Sequence, residues 1–382
     1  VNPAILYIDN STLKAVAACS TEALVRYGFD RVSTEERAPL KSGAAGHEAM
    51  AEYFRMGDAT RALDVFEWGA YCGACAGQGS TNGASCVACE GLGRVTPSYR
   101  EWAEANVPLD DRLGYDNTSR ILAAWFDRHP RNMLPFNVEA QYVEVGFAYP
   151  LLDEDTCLCG HRFEEHMDSE GLCASFREDC SCTKPTLAIC TGRLDAIATD
   201  PQDGGWYVIE NKFPGQINAT FIKRYRMDSQ LSTYAWAAQQ HTGLEIKGSI
   251  LNAVEFSRLP SSDRKCKDHA VTYAECGSLH VKSEMLRVDR TPEQIVQWHK
   301  TAIHLARKFR DLLAAYPRIG MIDKVRMQGT FNGLCTFCAL YDWCSVGRPT
   351  DDLRLNAMLV KEPWSPFAYA TGQRLTTTAH KP

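Results

Sequence analysis

Apolar residues return at helical spacing over some stretches of this chain and alternate over others. Small apolar residues recur every three or four positions in residues 11–30, and Ser11 or Thr12 stands where a cap belongs, which predicts a helix. Residues 43–56 predict a second helix with His47 near its start. The helical pattern returns over 98–128 through Trp102, Leu113, Ile121, Leu122 and Trp125. Residues 138–148 read as a strand, and 186–199 and 206–212 as two more, joined by a Pro-Gln-Asp-Gly-Gly turn. Residues 218–240 predict a helix with Leu231, Tyr234 and Trp236, and 246–256 and 281–289 predict strands. Residues 292–315 predict a long amphipathic helix on Ile295, Trp298, Ile303, Leu305, Phe309 and Leu312. Two stretches, 71–94 and 157–182, are rich in Cys and break the pattern, the first also in Gly. Mixed strands and helices predict an α/β core with helical material from both ends, and two insertions.

Composition narrows the function classes. The 382 residues are 45% hydrophobic and 23% charged, ordinary for a globular chain. The net charge of -6 excludes a polycation that binds nucleic acid through its whole surface, but not a local basic groove beside a carboxylate site. No run of about 18 apolar residues predicts a membrane span. No basic segment followed by an apolar one opens the chain, so a cytoplasmic protein is expected. Ten of the 16 cysteines fall in CxxC and CxC pairs, with histidines near some of them, which is metal-ligand spacing in a reducing compartment rather than a disulfide framework.

An ordered set of polar residues stands out against the apolar strands: Gly192-Arg-Leu-Asp195, then Glu210-Asn-Lys212, then Gln230-x-x-x-Tyr234. Residues i and i+2 of a strand share a face, so Glu210 and Lys212 project together. The turn between the strands can bring Asp195 beside Glu210. Two carboxylates at one place repel unless a cation joins them, and Mg²⁺ or Mn²⁺ suits oxygen ligands. Such a cation polarises a phosphate and acidifies a water, while Lys212 can orient or deprotonate that water or offset transition-state charge. Gln230 and Tyr234 lie on one helix face. A lone Glu-x-Lys is usually a surface ion pair; the ordered set carries the reading.

The order GRLDAI, YVIENKF, QLSTYAWA resembles the RecB-like nucleases of the PD-(D/E)XK superfamily, over residues 186–240. The N-terminal stretch is similar as well, with a Cys-bearing first helix and the GxxxH of Gly43–His47. The resemblance implies a restriction-endonuclease-like mixed sheet flanked by helices. It implies metal ligation by His47, Asp195 and Glu210, catalysis by Lys212 with Asp195 and Glu210, and support from Gln230 and Tyr234. Glu144 matches a recurrent upstream strand glutamate with an accessory role.

Thirteen of the cysteines form three groups, and Cys190 and Cys266 read most simply as unligated thiols. Cys335-x-x-Cys338-x5-Cys344 is a triple with no fourth ligand close by, and Cys19 is the lone Cys before residue 72. The RecB-like branch that includes the CRISPR-adaptation exonucleases and AddB holds a 4Fe–4S cluster with one N-terminal and three C-terminal cysteines, so the resemblance implies this cluster here. A zinc site completed by Cys276 is the alternative, since thiolates alone do not separate the metals. Cys72-x-x-Cys75-x-Gly-x-Gly79 and Cys86-x-x-Cys89-x-Gly-x-Gly93 form a doubled motif that predicts a Cys₄ zinc site and resembles half of the zinc region of DnaJ-type chaperones. No J-domain accompanies it. The third group, Cys157, Cys159, His161, His166, Cys173, Cys180 and Cys182, offers seven ligands for one zinc; Cys159, His166, Cys173 and Cys182 are the chosen four. Lys223, Arg224 and Arg226, just before Gln230, are the candidate phosphate contacts, with Arg258, Arg264, Lys265 and Lys267 in a later loop.

The expected organisation is a helical part at 1–70 with the first cluster Cys and His47, a zinc insert at 71–95, helices and a strand at 96–150, a Cys/His insert at 151–185, the nuclease core at 186–290, a helix and iron–sulfur segment at 291–350, and a tail at 351–382. The expected activity is Mg²⁺- or Mn²⁺-dependent hydrolysis of DNA, exonucleolytic by resemblance, on single-stranded or end-containing DNA in recombination, repair or phage DNA metabolism. A helicase, recombination or CRISPR protein is the expected partner. The alternative is a non-catalytic adaptor that keeps the nuclease fold.

Overall fold

The computed structural model describes residues 6–33, 38–72, 74–81, 84–108, 110–152, 186–260, 263–266, 270–272, 281–325, 335 and 338–362. Contacts divide the chain into two units, one of Val1–Glu36, Gly146–Arg193 and Pro292–Gln373, the other of Arg37–Val145, Leu194–Thr291 and Arg374–Pro382.

The second unit is built on a mixed sheet. Trp206–Lys212 lies between the end of Thr186–Thr199, antiparallel to it, and Ile246–Val254, parallel to it; Ser283–Asp289 closes the edge antiparallel to Ile246–Val254. The hairpin follows from the short Asp200–Gly205 turn, where Gly204 takes a left-handed φ of 63°. The parallel pair needs a crossover, supplied by the helices Ala219–Arg226 and Ser229–Thr242. Alternation sorts the central strands. Tyr207, Ile209 and Ile250 join a core with Tyr53, Phe54, Phe66, Trp125, Phe126 and Phe256, supplied largely by Ala38–Met56, Ala59–Trp68, Tyr99–Asn106 and Tyr115–Arg128. On the other face Ser249 Oγ donates to Leu231 O of Ser229–Thr242 at 3.5 Å.

In the first unit, Leu24, Val25, Ile322, Val325, Leu340, Trp343, Leu355 and Leu359 make a separate core. Tyr7–Ile8 pairs parallel with Ile189–Cys190, Asn10–Ala18 packs against Pro292–Ala315, and Arg31–Ser33 pairs antiparallel with Leu359–Lys361. Among the described residues no helix is long and apolar enough to cross a membrane.

Several expectations are corrected. The first helix is capped not by Ser11 or Thr12 but by Asp9, whose Oδ1 accepts from Thr12 N at 2.6 Å and Thr12 Oγ1 at 2.7 Å. It stops at Ala18, because Cys19 leaves the helical region (φ -154°, ψ 114°), and resumes as Ser20–Glu22 and a π turn over Ala23–Gly28. The second helix begins at Ala38, with Pro39 in its first turn. The helix Ala59–Trp68 was not anticipated; Gly57 (φ 70°) ends the preceding one and Asp58 caps it through Arg61 N at 3.0 Å. The helical stretch 98–128 is two helices, the first opened by a Ser98-x-x-Glu101 cap and followed by Pro108. The stretch 218–240 is also two, capped by Asn218 and Asp228. The strand read at 138–148 runs over Asn137–Leu152.

Candidate active site and metal centres

The edge-to-edge pairing of Ala196 with Ile209 sets Asp195 against the start of the Glu210-Asn-Lys212 segment. Asp195 Oδ2 accepts the Asn211 backbone N–H at 2.7 Å. The helix Ala38–Met56 brings His47, whose Nδ1 is 3.0 Å from the same Oδ2. Gly46 makes this approach possible, since a Cβ there would stand 2.7 Å from the Phe213 ring, and that ring also meets the His47 imidazole edge-on with centroids 5.5 Å apart.

Glu210 is 1% exposed, and its Oε1 is ion-paired with Lys212 Nζ. Lys212 Nζ also donates to Gln230 Oε1 at 3.3 Å, and Gln230 Nε2 donates to Tyr234 Oη at 3.0 Å, so the i, i+4 pair acts as one chain behind the lysine. Tyr225 was missed in the sequence. Its ring lies 5.9 Å from Lys212 Nζ, and it reaches there because the crossover is two short helices, not one long one. The same short helix exposes Lys223, Arg224 and Arg226.

The charges are tightly linked. Burial pushes Asp195 up, but the His47 imidazole and the Asn211 N–H outweigh it and hold the carboxyl below its usual value. Burial lowers His47, and Asp195 more than restores it, so the ring is held above its usual value. Burial raises Glu210, which Lys212 only partly offsets. Lys212 itself is held above its usual value, burial being outweighed by Glu210.

These residues fit a divalent cation in their chemistry. Glu210 Oε2 is buried with no hydrogen-bond partner, an orphaned oxygen that a cation satisfies. An imidazole and a second carboxylate stand nearby. The donor atoms of His47, Asp195 and Glu210 do not all lie within 4.8 Å of one another. His47 and Lys212 are each paired with one carboxylate in the arrangement described.

A family model described as the PD-(D/E)XK nuclease superfamily matches residues 10–345. The chain belongs to the PD-(D/E)XK nuclease superfamily. No curated protein matches it. Members of this superfamily use divalent metals, and the mixed sheet with helices packed on it is the architecture expected of a PD-(D/E)XK nuclease.

This nuclease-family chain carries two thiol groupings among its described residues. Cys72, Cys75, Cys86 and Cys89 are buried with all four Sγ within 4.8 Å of one another. A tetrahedron of thiolates about 2.3 Å from zinc has edges of about 3.8 Å. The observed Cys72–Cys86 and Cys75–Cys89 separations are 3.8 and 3.7 Å. The two halves match under a 14-residue shift: Gly79 N donates to Cys75 Sγ at 3.3 Å and Gly93 N to Cys89 Sγ at 3.2 Å. Left-handed Gly79 and Gly93 allow it, because a Cβ on either would stand 2.3 Å from the carbonyl oxygen of Gly91 or Gly77. Burial pushes the Cys75 thiol up, but the Gly79 N–H and the neighbouring sulfurs bring it down to about 7. Cys89 is pushed up to about 11 by burial and its neighbours. Thiolates this close repel one another, a crowding that a cation would relieve.

Cys19, Cys335, Cys338 and Cys344 gather in the first unit, though not to within 4.8 Å. Burial and the other three thiols push Cys344 up to about 12, and burial, with Glu22 and then Cys19 and Cys335, also raises Cys338. Leu340 N donates to Cys338 Sγ at 3.5 Å. Cys19 itself stands at the break between the helices Asn10–Ala18 and Ser20–Glu22. Arg348, unremarked in the sequence, takes φ 57° and donates to Thr21 Oγ1, Ile322 O and Val325 O at 3.1 to 3.3 Å, tying the N-terminal helix to the segment before the triple. A thiolate quartet of this kind suits an iron–sulfur cluster. The third grouping, with Cys159, His166, Cys173 and Cys182, lies outside the described residues, as do Cys276 and Lys267.

Proposed function

We propose that this chain is a Mg²⁺- or Mn²⁺-dependent deoxyribonuclease of the RecB-like branch, acting as an exonuclease on single-stranded or end-containing DNA. The observation that carries the reading is Glu210: a carboxylate 1% exposed, with one oxygen held by Lys212 and the other without a partner, beside Asp195 and His47. Glu210, Asp195 and His47 are the proposed metal ligands. A divalent cation bound there supplies Lewis acidity toward the phosphate and lowers the pKa of a water.

The chain's own residues do the rest. Lys212, kept protonated by Glu210, places a positive charge where negative charge grows on the phosphate. Gln230 holds the ammonium through its Oε1, and Tyr234 holds Gln230. The Asn211 N–H fixes the Asp195 carboxylate. Lys223, Arg224 and Arg226, exposed on the helix that carries Tyr225, are the proposed contacts to the DNA backbone. Exonuclease mode, substrate form, a cytoplasmic setting and a recombination, repair or CRISPR partner rest on the resemblance.

The cofactors assigned under this reading are a 4Fe–4S cluster on Cys19, Cys335, Cys338 and Cys344, a zinc on Cys72, Cys75, Cys86 and Cys89, and a second zinc on Cys159, His166, Cys173 and Cys182. The cluster serves as a staple, joining residues more than 300 positions apart in the sequence. Loss of metal-dependent cleavage in Asp195→Ala with the fold kept tests the reading; full activity in that variant sinks it.

A further inference from the structure

We propose that the Cys72–Cys75–Cys86–Cys89 zinc centre positions the His47 helix, through Thr96 and Arg61 acting on Glu48 and Glu52. The inference rests on the nuclease reading for the role of His47, and on geometry alone for the link between knuckle and helix.

Among its described residues the knuckle has no apolar core beyond its cysteines. Its four cysteines are its buried cluster, with Val95 packed against them, while Val87 and Leu92 are 92% and 78% exposed. A small Cys-ligated module of this kind folds on its metal and unfolds without it.

The chain leaves the knuckle through a two-stranded base. Cys72 N donates to Gly93 O and Val95 N to Ala70 O, both at 2.9 Å, and Tyr71 bridges Arg94. The Tyr71 ring has a guanidinium near it from each of two sides of the sequence, Arg61 at 4.2 Å and Arg94 at 3.8 Å from its centroid. Its hydroxyl is hydrogen-bonded to Asp64, which Arg94 also binds, and Arg94 Nη1 donates to Gly69 O at 2.8 Å.

From this base two contacts reach the helix Ala38–Met56. Thr96 Oγ1 accepts from Ala70 N at 2.7 Å and donates to Glu48 Oε2 at 2.8 Å. Arg61, stacked on Tyr71, is ion-paired with Glu52. Glu48 and Glu52 are one turn apart on the same face of the helix, and Glu48 directly follows His47. The base therefore grips the helix at two successive turns beside the imidazole that meets Asp195. Gly69 keeps the grip close: with φ 89°, its Cβ would stand 2.2 Å from Thr96 O. If the knuckle melts, Tyr71, Arg94 and Thr96 lose their frame, and both anchors on the helix go with them. Partners that orient a metal-binding histidine typically carry about a 10–100-fold effect on affinity when removed.

The test uses the full chain, purified anaerobically, in four forms: wild type, Cys86→Ser/Cys89→Ser, Thr96→Val and Thr96→Ser. Zinc is counted by mass spectrometry, Mn²⁺ affinity is measured by electron paramagnetic resonance without DNA, and hydrogen exchange is followed over residues 38–56. The cysteine variant is expected to lose one zinc equivalent, exchange faster over 38–56 and bind Mn²⁺ about 10–100-fold more weakly. Thr96→Val is expected to keep its zinc and still weaken Mn²⁺ binding, with recovery in Thr96→Ser. Thr96→Val decides the case if the cysteine variant does not fold. An unchanged zinc count in the cysteine variant overturns the zinc centre. Zinc loss with unchanged exchange over 38–56 overturns the coupling. Absence of Mn²⁺ binding in the wild type counts against the nuclease reading instead, and the exchange data still decide the link.

Discussion

Lys212→Met isolates the electrostatics of the proposed site. In the wild type Glu210 has one oxygen paired with Lys212 and the other with no partner, and the residue is 1% exposed. Removing the ammonium leaves a buried carboxylate with neither oxygen ion-paired. Breaking a buried ion pair from one side costs about 3–5 kcal/mol. Lys212's side chain is 20% exposed, so its removal admits some water, and the lower end, about 3 kcal/mol, is expected. At roughly 2–4 °C per kcal/mol for a domain of this size, the melting temperature in EDTA should fall by about 6–12 °C. Lys212→Met/Glu210→Gln should recover most of that loss, because the charge that needed the lysine is gone. Mn²⁺ should raise the melting temperature of Lys212→Met but not of the double variant. Thermal unfolding by circular dichroism reads all of this. A Lys212→Met protein that melts with the wild type in EDTA, or a double variant no more stable than the single one, would refute the reasoning.

Gly79→Ala forces a left-handed alanine against Gly91 O; the strain, about 1–3 kcal/mol, should lower zinc affinity in a competition with a chromophoric chelator, and unchanged affinity would contradict the knuckle geometry. Asp64 is held below its usual value: burial pushes it up, and Tyr71 and Arg94 outweigh that. Its stabilisation is therefore complete above its unfolded value and lost as the pH falls toward the folded one. The stability gap between wild type and Asp64→Asn should be present at pH 7 and close below about pH 4; a gap that widens in acid has the wrong sign. Cys344→Ser should lose iron and the cluster absorbance near roughly 400 nm in anaerobic protein while Cys190→Ser keeps both; iron retained in Cys344→Ser would remove that residue from the proposed quartet.

The sheet that carries the site was legible because its signal is local. Apolar runs over 186–199 and 206–212, with a Gly-rich turn between, predicted the hairpin, and the i, i+2 rule put Glu210 and Lys212 on one face. The doubled CxxCxGxG was legible for the same reason, each half carrying its own turn. The helix ends were less so. Asp9, Asp58, Asn218 and Asp228 all cap helices through side-chain oxygens, yet apolar spacing runs on across the breaks and hides them. Reading 218–240 as one helix concealed Tyr225. The Thr96–Glu48 contact spans 48 positions, and no local pattern announces it. Nor does local sequence distinguish Arg348, whose side-chain partners Thr21, Ile322, Asp323 and Val325 come from two distant segments.

The most direct measurement is cleavage of end-labelled single- and double-stranded DNA by the anaerobically purified protein in Mg²⁺, Mn²⁺ or EDTA, beside Lys212→Ala and Asp195→Ala. Cleavage from an end is expected, dependent on the divalent cation and lost in both variants while their iron and zinc contents stay at the wild-type level. Cleavage that persists in EDTA, or that survives in either variant, contradicts that expectation.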